Sequence, residues 1–467
     1  MPDERFEEHL RHPVGRGRVP AHDGAAGGAA CGDLVRIGVA VQGDRVADAG
    51  FEASGCGAAI AAGSAAVELV RGAGVLDAAR VGTYAISDAL GGLSPGKLHA
   101  AELAAEALAR ALGRAVADAK PTHPAAIDPE RTLVAMSGGV DSAVAALRSG
   151  PHAATVTLEL WRDPDNDAER SCCSASAVGG ARAIAHGMGL AHFTLDLRAE
   201  FRAGVVDPWL AEHAAGLTPN PCVRCNGNVR LDAMLAFADR LGAATLTTGH
   251  YARRTPEGLL RLASDPAKDQ AYMLAGLSRA TLERLRFPLG DLDKAQVRAI
   301  AAEHELPVAS KPDSQDLCFL AGTGRAAFLA RHGDLGERPG DIVDVAGRVM
   351  GRHGGAHRFT VGQRRGLEVG GAPEPLYVLR TDAGANTVTV GPRAALATTG
   401  VRVRDARLHA PAREIDAVKL RYRAPAVPCT LRGETIELAQ PVDGPAPGQT
   451  AVFLRGDAVL VCATIAA

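Results

Sequence analysis

Between Arg131 and Leu147 the chain reads RTLVAMSGGVDSAVAAL. An apolar strand here turns through glycines directly into a helix. That is the opening of a β–turn–α unit, and such units stack into a parallel sheet covered by helices. Ser137, Gly138, Gly139, Val140, Asp141 and Ser142 form the turn. Glycines let backbone amides curl around an anion, and the following helix N-terminus favours negative charge. Further strand-like runs, AATVTLEL, AHFTLDL and ATLTTGHYA, alternate with the Ala-rich helical stretches VGGARAIAHGMG and RLDAMLAFADRLGA. The expectation is a parallel-sheet α/β domain over residues 130–340.

The flanks have a different texture. Before the loop, LVRIGVAV and VADAGFEA alternate around QGDR as a β-hairpin, and AAIAAGSAAVELVRGA and KLHAAELAAEALARAL have helical spacing. An α+β domain is expected over residues 1–113, and the proline-bearing stretch 114–129 is expected to be a linker. After Arg338, short strands punctuated by turns predict a small β domain over 341–400 and a β-barrel over 401–467. Length agrees with several domains, at about 150 residues each. The formal net charge of −2 excludes nucleic-acid binding by bulk charge alone. Locally, Arg402–Arg423 holds seven Lys/Arg against three acids, a candidate phosphate-contacting face. No apolar run approaches the roughly 18 residues of a membrane helix, and the charged N-terminus has no signal core, so a cytoplasmic protein with no membrane partner is expected. In such a chain nine cysteines point to catalysis, sulfur chemistry or metal binding before disulfides.

Three motifs carry chemistry. A Walker-type loop needs Gly-Lys-Ser/Thr, and SGGVDS has no lysine. It has instead the form of the pyrophosphate loop of enzymes that split ATP into AMP and pyrophosphate. TPNPCVRCN carries Cys222 and Cys225 as a CxxC, which can be a redox pair, half a metal site or a nucleophile. No second CxxC completes a four-cysteine zinc site. Cys318 lies in SKPDSQDLCF, among polar and charged residues unusual for a buried structural cysteine. Cys172 and Cys173 are given no catalytic role.

SGGVDS, TPNPCVRCN, TGHYAR, KDQAYML, SKPDSQDLCF, FTVGQRRGL and LRYRAPAVPC stand in the order seen in tRNA-specific 2-thiouridylases, and the chain resembles that family over about residues 130–467. The resemblance implies an ATP- and Mg2+-dependent sulfur insertion into the wobble uridine of tRNA. It implies a pyrophosphatase-loop catalytic domain with ATP on Ala135, Met136, Ser137, Gly138, Gly139, Val140, Asp141, Ser142, Leu158 and Gly249. Asp141 counts with Cys225 and Cys318 as catalytic. By similarity Cys225 is the nucleophile and Cys318 carries a persulfide, the two closing a disulfide after transfer. tRNA contacts are implied at His250, Lys268, Asp269, Gln270, Gln363, Arg421 and Tyr422, and a sulfur donor, a cysteine desulfurase or a sulfur carrier, as partner. Many relatives have Met where this chain has Leu158.

Cys222 stands where some relatives carry Asp. Cys222, Cys225 and Cys318 therefore also make a ligand set for a [4Fe–4S] cluster with one iron open to sulfide. Residues 1–113 resemble IscU/NifU-type iron–sulfur scaffolds, through FEEHLRHP, Cys31 and Asp33 in ACGD, Cys56 in GCGAAI, and KLHAAELAAEAL. The third scaffold cysteine falls on Ala100, beside His99. Two readings stand: an iron–sulfur site on Cys31, Asp33, Cys56 and His99, or a domain kept for docking a sulfur donor. A small-molecule ligase of the same pyrophosphatase-loop class is the other enzymatic alternative.

Overall fold

The computed structural model describes residues 3–27, 32–119, 126–163, 174–313, 317–320, 322–367, 369–370 and 374–467. Cys31, Cys172 and Cys173 lie outside the described residues. The chain forms two compact units that do not follow linear order. One comprises Met1–Arg198, Ala233–His250 and Arg284–Phe319, the other Ala199–Asp232, Tyr251–Glu283 and Leu320–Ala467.

The first unit opens with α1 (Glu4–Arg11), β1 (His22–Gly27), β2 (Leu34–Gln42) and β3 (Arg45–Ser54), then α2 (Gly57–Val70), α3 (Val75–Ala78), α4 (Thr83–Ala89) and α5 (Leu98–Asp118). The expected hairpin is β2–β3, and β1 adds antiparallel to its free side. Val35, Ile37 and Val39 alternate inward from β2, against the small buried residues of α2 and α5. Ala and Gly allow this closeness. A Cβ on Gly24 would lie 2.2 Å from the Ala107 carbonyl oxygen of α5.

After this α+β layer come β4 (Asp128–Ala135), α6 (Val140–Arg148), β5 (Ala154–Glu159), α7 (Ala175–Gly187) and β6 (Ala191–Asp196). The excursion into the second unit carries α8 (Arg198–Phe201), α9 (Asp207–Ala214) and α10 (Pro221–Cys225). The chain returns in α11 (Leu231–Arg240) and β7 (Ala243–Thr247). Parallel pairing gives the order β10–β7–β4–β5–β6, where β10 (Leu285–Arg286) follows a second excursion of β8 (Arg253–Arg254), β9 (Leu260–Arg261), α12 (Ala271–Leu274) and α13 (Arg279–Arg284). β5 as far as Leu158 and the second half of β4, from Thr132 to Val134, are buried, as strands covered on both faces must be. α14 (Lys294–Glu303) packs beside α6.

The expected linker is shorter than 114–129. α5 continues to Asp118 and β4 begins at Asp128. Gly113, the expected last residue of the domain, lies inside α5. It is the point where α5 crosses β6, and a Cβ there would stand 2.1 Å from the Thr194 carbonyl oxygen.

In the second unit α15 (Arg325–Gly333) precedes a four-stranded sheet of order β12–β11–β14–β13, built from β11 (Gly340–Val343), β12 (Val349–His353), β13 (Leu376–Asp382) and β14 (Thr387–Pro392). Ile342, Val378, Val388 and Val390 fill its core. β15 (Ala397–Leu408), β16 (Ala417–Lys419), β17 (Val427–Arg432), β18 (Thr435–Asp443), β19 (Thr450–Arg455) and β20 (Ala458–Ile465) follow. β15 pairs with both β18 and β20, so these six strands close into a barrel around Val418, Ile436, Phe453 and Leu460. Closure removes the edges that an open sheet of short strands would expose.

Candidate nucleotide, thiol and metal sites

The SGGVDS loop leaves the carboxyl end of β4, where open α/β sheets bind their ligands. The Met136 amide donates to the Val156 carbonyl of β5 (2.8 Å), carrying the pairing one residue past the strand. Ser142 then staples the turn. Its Oγ accepts from the Ser137 amide (3.1 Å) and donates to the Gly139 carbonyl (3.0 Å). Gly138 has φ +68°, a left-handed conformation suited to glycine, and a Cβ there would lie 2.7 Å from the Ala177 carbonyl oxygen. Gly249 closes the other side, against the backbone of Asp141 and Ser142. Leu158 is buried near the end of β5. His250 is tied to Thr248 by Nδ1···Oγ1 at 2.9 Å.

Two lysines that the sequence reading missed complete this site. Lys294 Nζ donates to both Asp141 carboxylate oxygens (2.7 and 2.9 Å) and lies 2.8 Å from Asp313 Oδ1, which Arg298 also reaches at 3.3 Å. Lys311 Nζ donates to the Gly138 carbonyl (2.8 Å). Lys294, Lys311 and Arg298 face Asp141 and Asp313, so the loop has a net positive surround, as a polyphosphate site requires. The available signal was DKAQ. Asp293 and Gln296 form a capping box, which fixes Lys294 in the first turn of α14.

In the second unit Asn220 caps α10, its Oδ1 accepting from the amides of Cys222 (3.1 Å) and Val223 (3.4 Å). Pro221 at the first helical position and the Arg224–Glu212 pair (2.9 Å) fix the short CxxC helix. Cys225 is buried, and burial pushes the Cys222 thiol above its ordinary pKa. Cys318 is half-buried and belongs to the first unit.

The expected tRNA contacts other than His250 all lie in the second unit. Asp269 is buried. Its Oδ1 accepts from the Ala263 amide (2.8 Å), Lys419 stands 3.9 Å away, and desolvation raises its pKa. Gln270 accepts from the Tyr251 amide (3.0 Å). These two therefore shape the loop that presents Lys268. Gln363 braces its own turn through the Thr360 amide and the Arg365 carbonyl, and exposed Arg421 donates to the Gly444 carbonyl (2.7 Å). The Tyr422 ring lies 5.9 Å from Tyr272. Burial raises its hydroxyl pKa, Arg423 and Lys268 lower it, and Asp269 and Cys222 raise it further. The CxxC helix, the Lys268 loop and the Tyr422 segment thus share one electrostatic neighbourhood. Part of the basic run is structural: Lys419 faces Asp269, Arg404 pairs with Asp405, and Arg407 donates to the Gly276 carbonyl.

Asp33, Cys56 and His99 form the one group among the described residues whose ligand atoms lie within 4.8 Å of one another. The Cys56 amide and thiol donate to Asp33 (2.8 and 3.2 Å), and His99 Nε2 lies 3.1 Å from the same carboxylate. The backbone hydrogen bond from Cys56 comes first among the causes that hold the Asp33 pKa low. A carboxylate, a thiol and an imidazole suit a soft or borderline metal. Ala100 is fully buried in α5 and supplies no donor where the third cysteine would be.

Four family models match the chain end to end. A NifU-like N-terminal domain covers residues 3–119 and a tRNA methyl transferase HUP domain 130–322. A tRNA methyl transferase PRC-barrel domain covers 326–392 and an aminomethyltransferase beta-barrel domain 399–465. The chain is 43% identical to the bifunctional protein NifU/MnmA of Rubrobacter xylanophilus, over 98% of this chain and 96% of that one. It is 46% identical to the tRNA-specific 2-thiouridylase MnmA of Salinispora tropica, over 72% of this chain and 99% of that one. Against the Rhizorhabdus wittichii MnmA the identity is 43%, over 72% and 92%. With a NifU-like layer ahead of a complete thiouridylase, the chain belongs to the tRNA-specific 2-thiouridylase (MnmA) family, in its bifunctional NifU/MnmA form.

Proposed function

We propose that the protein converts the wobble uridine of tRNA to 2-thiouridine at the expense of ATP. The observation that carries this reading is the Ser142-stapled loop at the end of β4, flanked by Lys294 and Lys311. The uridine 2-oxo group is a poor leaving group. Its oxygen attacks the α-phosphorus of ATP and pyrophosphate departs into the loop; Asp141, paired with Lys294 here, would be the residue to hold Mg2+. The terminal sulfur of a Cys318 persulfide then attacks C2 and AMP leaves, giving a C2–S–S–Cys318 linkage. The Cys225 thiolate attacks the Cys318 sulfur, releasing 2-thiouridine and forming a Cys225–Cys318 disulfide. A cellular dithiol supplies the two electrons that reopen it, and a cysteine desulfurase or sulfur carrier recharges Cys318. Lys268, Gln363, Arg421 and Tyr422 bind tRNA, with His250 beside the nucleotide.

Three donors of the N-terminal group fit a metal or an iron–sulfur group. Asp33, Cys56 and His99 would hold it, and the family resemblance adds Cys31, which lies outside the described residues. Bound there, such a group supplies sulfide or iron storage, and no step above is routed through it. Cys222, Cys225 and Cys318 would be the ligands of a [4Fe–4S] group in the alternative route, and the Cys222→Ser variant separates the two.

The test is tRNA-dependent release of AMP and pyrophosphate, with 2-thiouridine measured by mass spectrometry of digested tRNA. Asp141→Ala is expected to abolish both while tRNA binding stays within about twofold, since the carboxylate meets nucleotide and not RNA. Normal thiolation by this variant would remove the loop from the reaction.

A further inference from the structure

The NifU-like layer and the nucleotide-binding sheet belong to one compact unit, and they meet along the β6 edge. A parallel sheet's last strand leaves a row of backbone groups open to pairing. Here the His192 amide of β6 donates to the Ala79 carbonyl after α3 (2.8 Å), and the His186 ring nitrogen lies 3.1 Å from the same oxygen. Arg80 donates to the Gly189 carbonyl (3.2 Å). α5 crosses β6 at Gly113, where only a missing side chain allows the approach.

Beside that crossing sits a charged cluster that the reaction above does not use. Arg110 of α5 donates through Nε to both Glu159 carboxylate oxygens (3.2 and 3.3 Å). It also pairs with Glu106 (2.6 Å) and donates to the Ala25 carbonyl (2.7 Å). Arg182 of α7 is 5% exposed and lies 3.9 Å from Glu106. Buried charges of this kind are stable only while their partners remain in place. Glu159 is the last residue of β5, three places beyond Val156, which pairs with Ala135 at the mouth of the SGGVDS loop. It stands at the carboxyl edge, where the sheet receives its ligand.

We propose that the NifU-like domain is a docked subunit of the nucleotide-binding sheet, and that Arg110 is a positioning residue that holds the Glu159 end of β5 for ATP. The docking surface is the β6 edge with the Arg110–Glu106–Arg182–Glu159 cluster. The second statement rests on the ATP reading of the loop. The first does not.

The experiment uses the full chain with a specific protease site placed within residues 120–125. After cleavage the two pieces are expected to co-elute on gel filtration at micromolar concentration, and Arg110→Glu should separate them. Separation of the pieces carrying native Arg110 would overturn the docking. In the uncut protein Arg110→Ala is expected to raise the KM for ATP about tenfold, the scale of one charge-assisted hydrogen bond, with kcat within about twofold. Arg110→Lys should recover most of that. An unchanged KM, or a fall in kcat without a rise in KM, would overturn the positioning role while leaving the co-elution result to judge the docking. Absence of ATP turnover in the wild-type protein would overturn the nucleotide reading and with it the positioning role, while the co-elution result still judges the docking.

Discussion

Gly249→Ala adds one methyl group against the backbone at the start of α6, beside the SGGVDS loop. Its Cβ would stand 2.8 Å from both the Asp141 carbonyl carbon and the Ser142 amide nitrogen, and 3.0 Å from the Asp141 oxygen. Ordinary contacts between such atoms are about 3.5–4.0 Å, so the two backbones must part by roughly 0.7 Å or more. All three opposing atoms are main chain, so no side chain can swing away. Overpacking of this kind costs about 1–3 kcal/mol. The moving segment is the start of α6, whose amides would meet the phosphates in the proposed reaction, and a misplacement approaching 1 Å is worth about a hundredfold in rate. Expected, then, is a fall of about 30- to 100-fold in kcat/KM for ATP in tRNA-dependent AMP release, with a melting midpoint lowered by several degrees, about 2–4 °C per kcal/mol. Gly180→Ala is the matched control. Gly180 lies within α7 with no heavy atom near its absent Cβ, so alanine should stabilise by about 0.5–1 kcal/mol through helix propensity and leave turnover unchanged. If Gly249→Ala keeps kcat/KM within about twofold of the parent, the inference that this contact sets the loop is wrong.

Other outcomes follow from the same geometry. Cys222→Ser in anaerobically purified protein should retain substantial thiolation, whereas Cys225→Ser and Cys318→Ser lose it; joint loss of iron, visible absorption and activity in Cys222→Ser would establish a cluster instead. Arg421→Ala should weaken tRNA binding and flatten the dependence of log affinity on log salt by about 0.7–0.9, one phosphate contact; an unchanged slope removes Arg421 from the interface. Burial holds His186 down to about 4 and His213 to about 3, against 6.5 in an unfolded chain. The unfolded chain binds these protons first, so their contribution is complete above about pH 6.5 and is lost as pH falls through about 4 for His186 and about 3 for His213. His186→Asn should remove about one proton from the slope of unfolding free energy against pH between 4 and 6.5, and an unaltered slope in denaturant titrations would show that His186 is not the group responsible.

The catalytic sheet was legible because each β–α repeat carries its own local signal. LVAM, TVTL and HFTL are apolar runs bounded by glycine or polar turns, and they become β4, β5 and β6 in the expected parallel arrangement. The hairpin β2–β3 was legible for the same reason. β1 was not, because HDGAAG has no strand composition. It pairs with β2 because its glycines and alanines let α5 sit directly on it. The domain bound at Gly113 falls inside α5, since a glycine that ends a helix and one that admits a neighbouring backbone are the same letter. In the nucleotide site the loop itself could be read from SGGVDS. Lys294 and Lys311 could not, because they lie over 150 positions downstream and only tertiary packing brings them to Asp141 and Gly138.

The basic run at 402–423 teaches a related point about charge. Counted along the chain it is a phosphate-seeking face. In the fold Lys419 compensates the buried Asp269, and Arg404 and Arg407 are spent on Asp405 and the Gly276 carbonyl. Four exposed arginines of the run remain, Arg402, Arg413, Arg421 and Arg423, and the last two flank Tyr422, an aromatic ring with a polar tip. Stacking on an aromatic face and pairing with phosphate are the two sequence-tolerant ways to hold an unstacked nucleotide. Cys222 and Lys268 act electrostatically on that same tyrosine. An RNA strand bound along Arg421–Arg423, as proposed, would therefore lie next to the CxxC helix, and the field to orient it would come from a few uncompensated charges, not from the excess that the sequence count suggests.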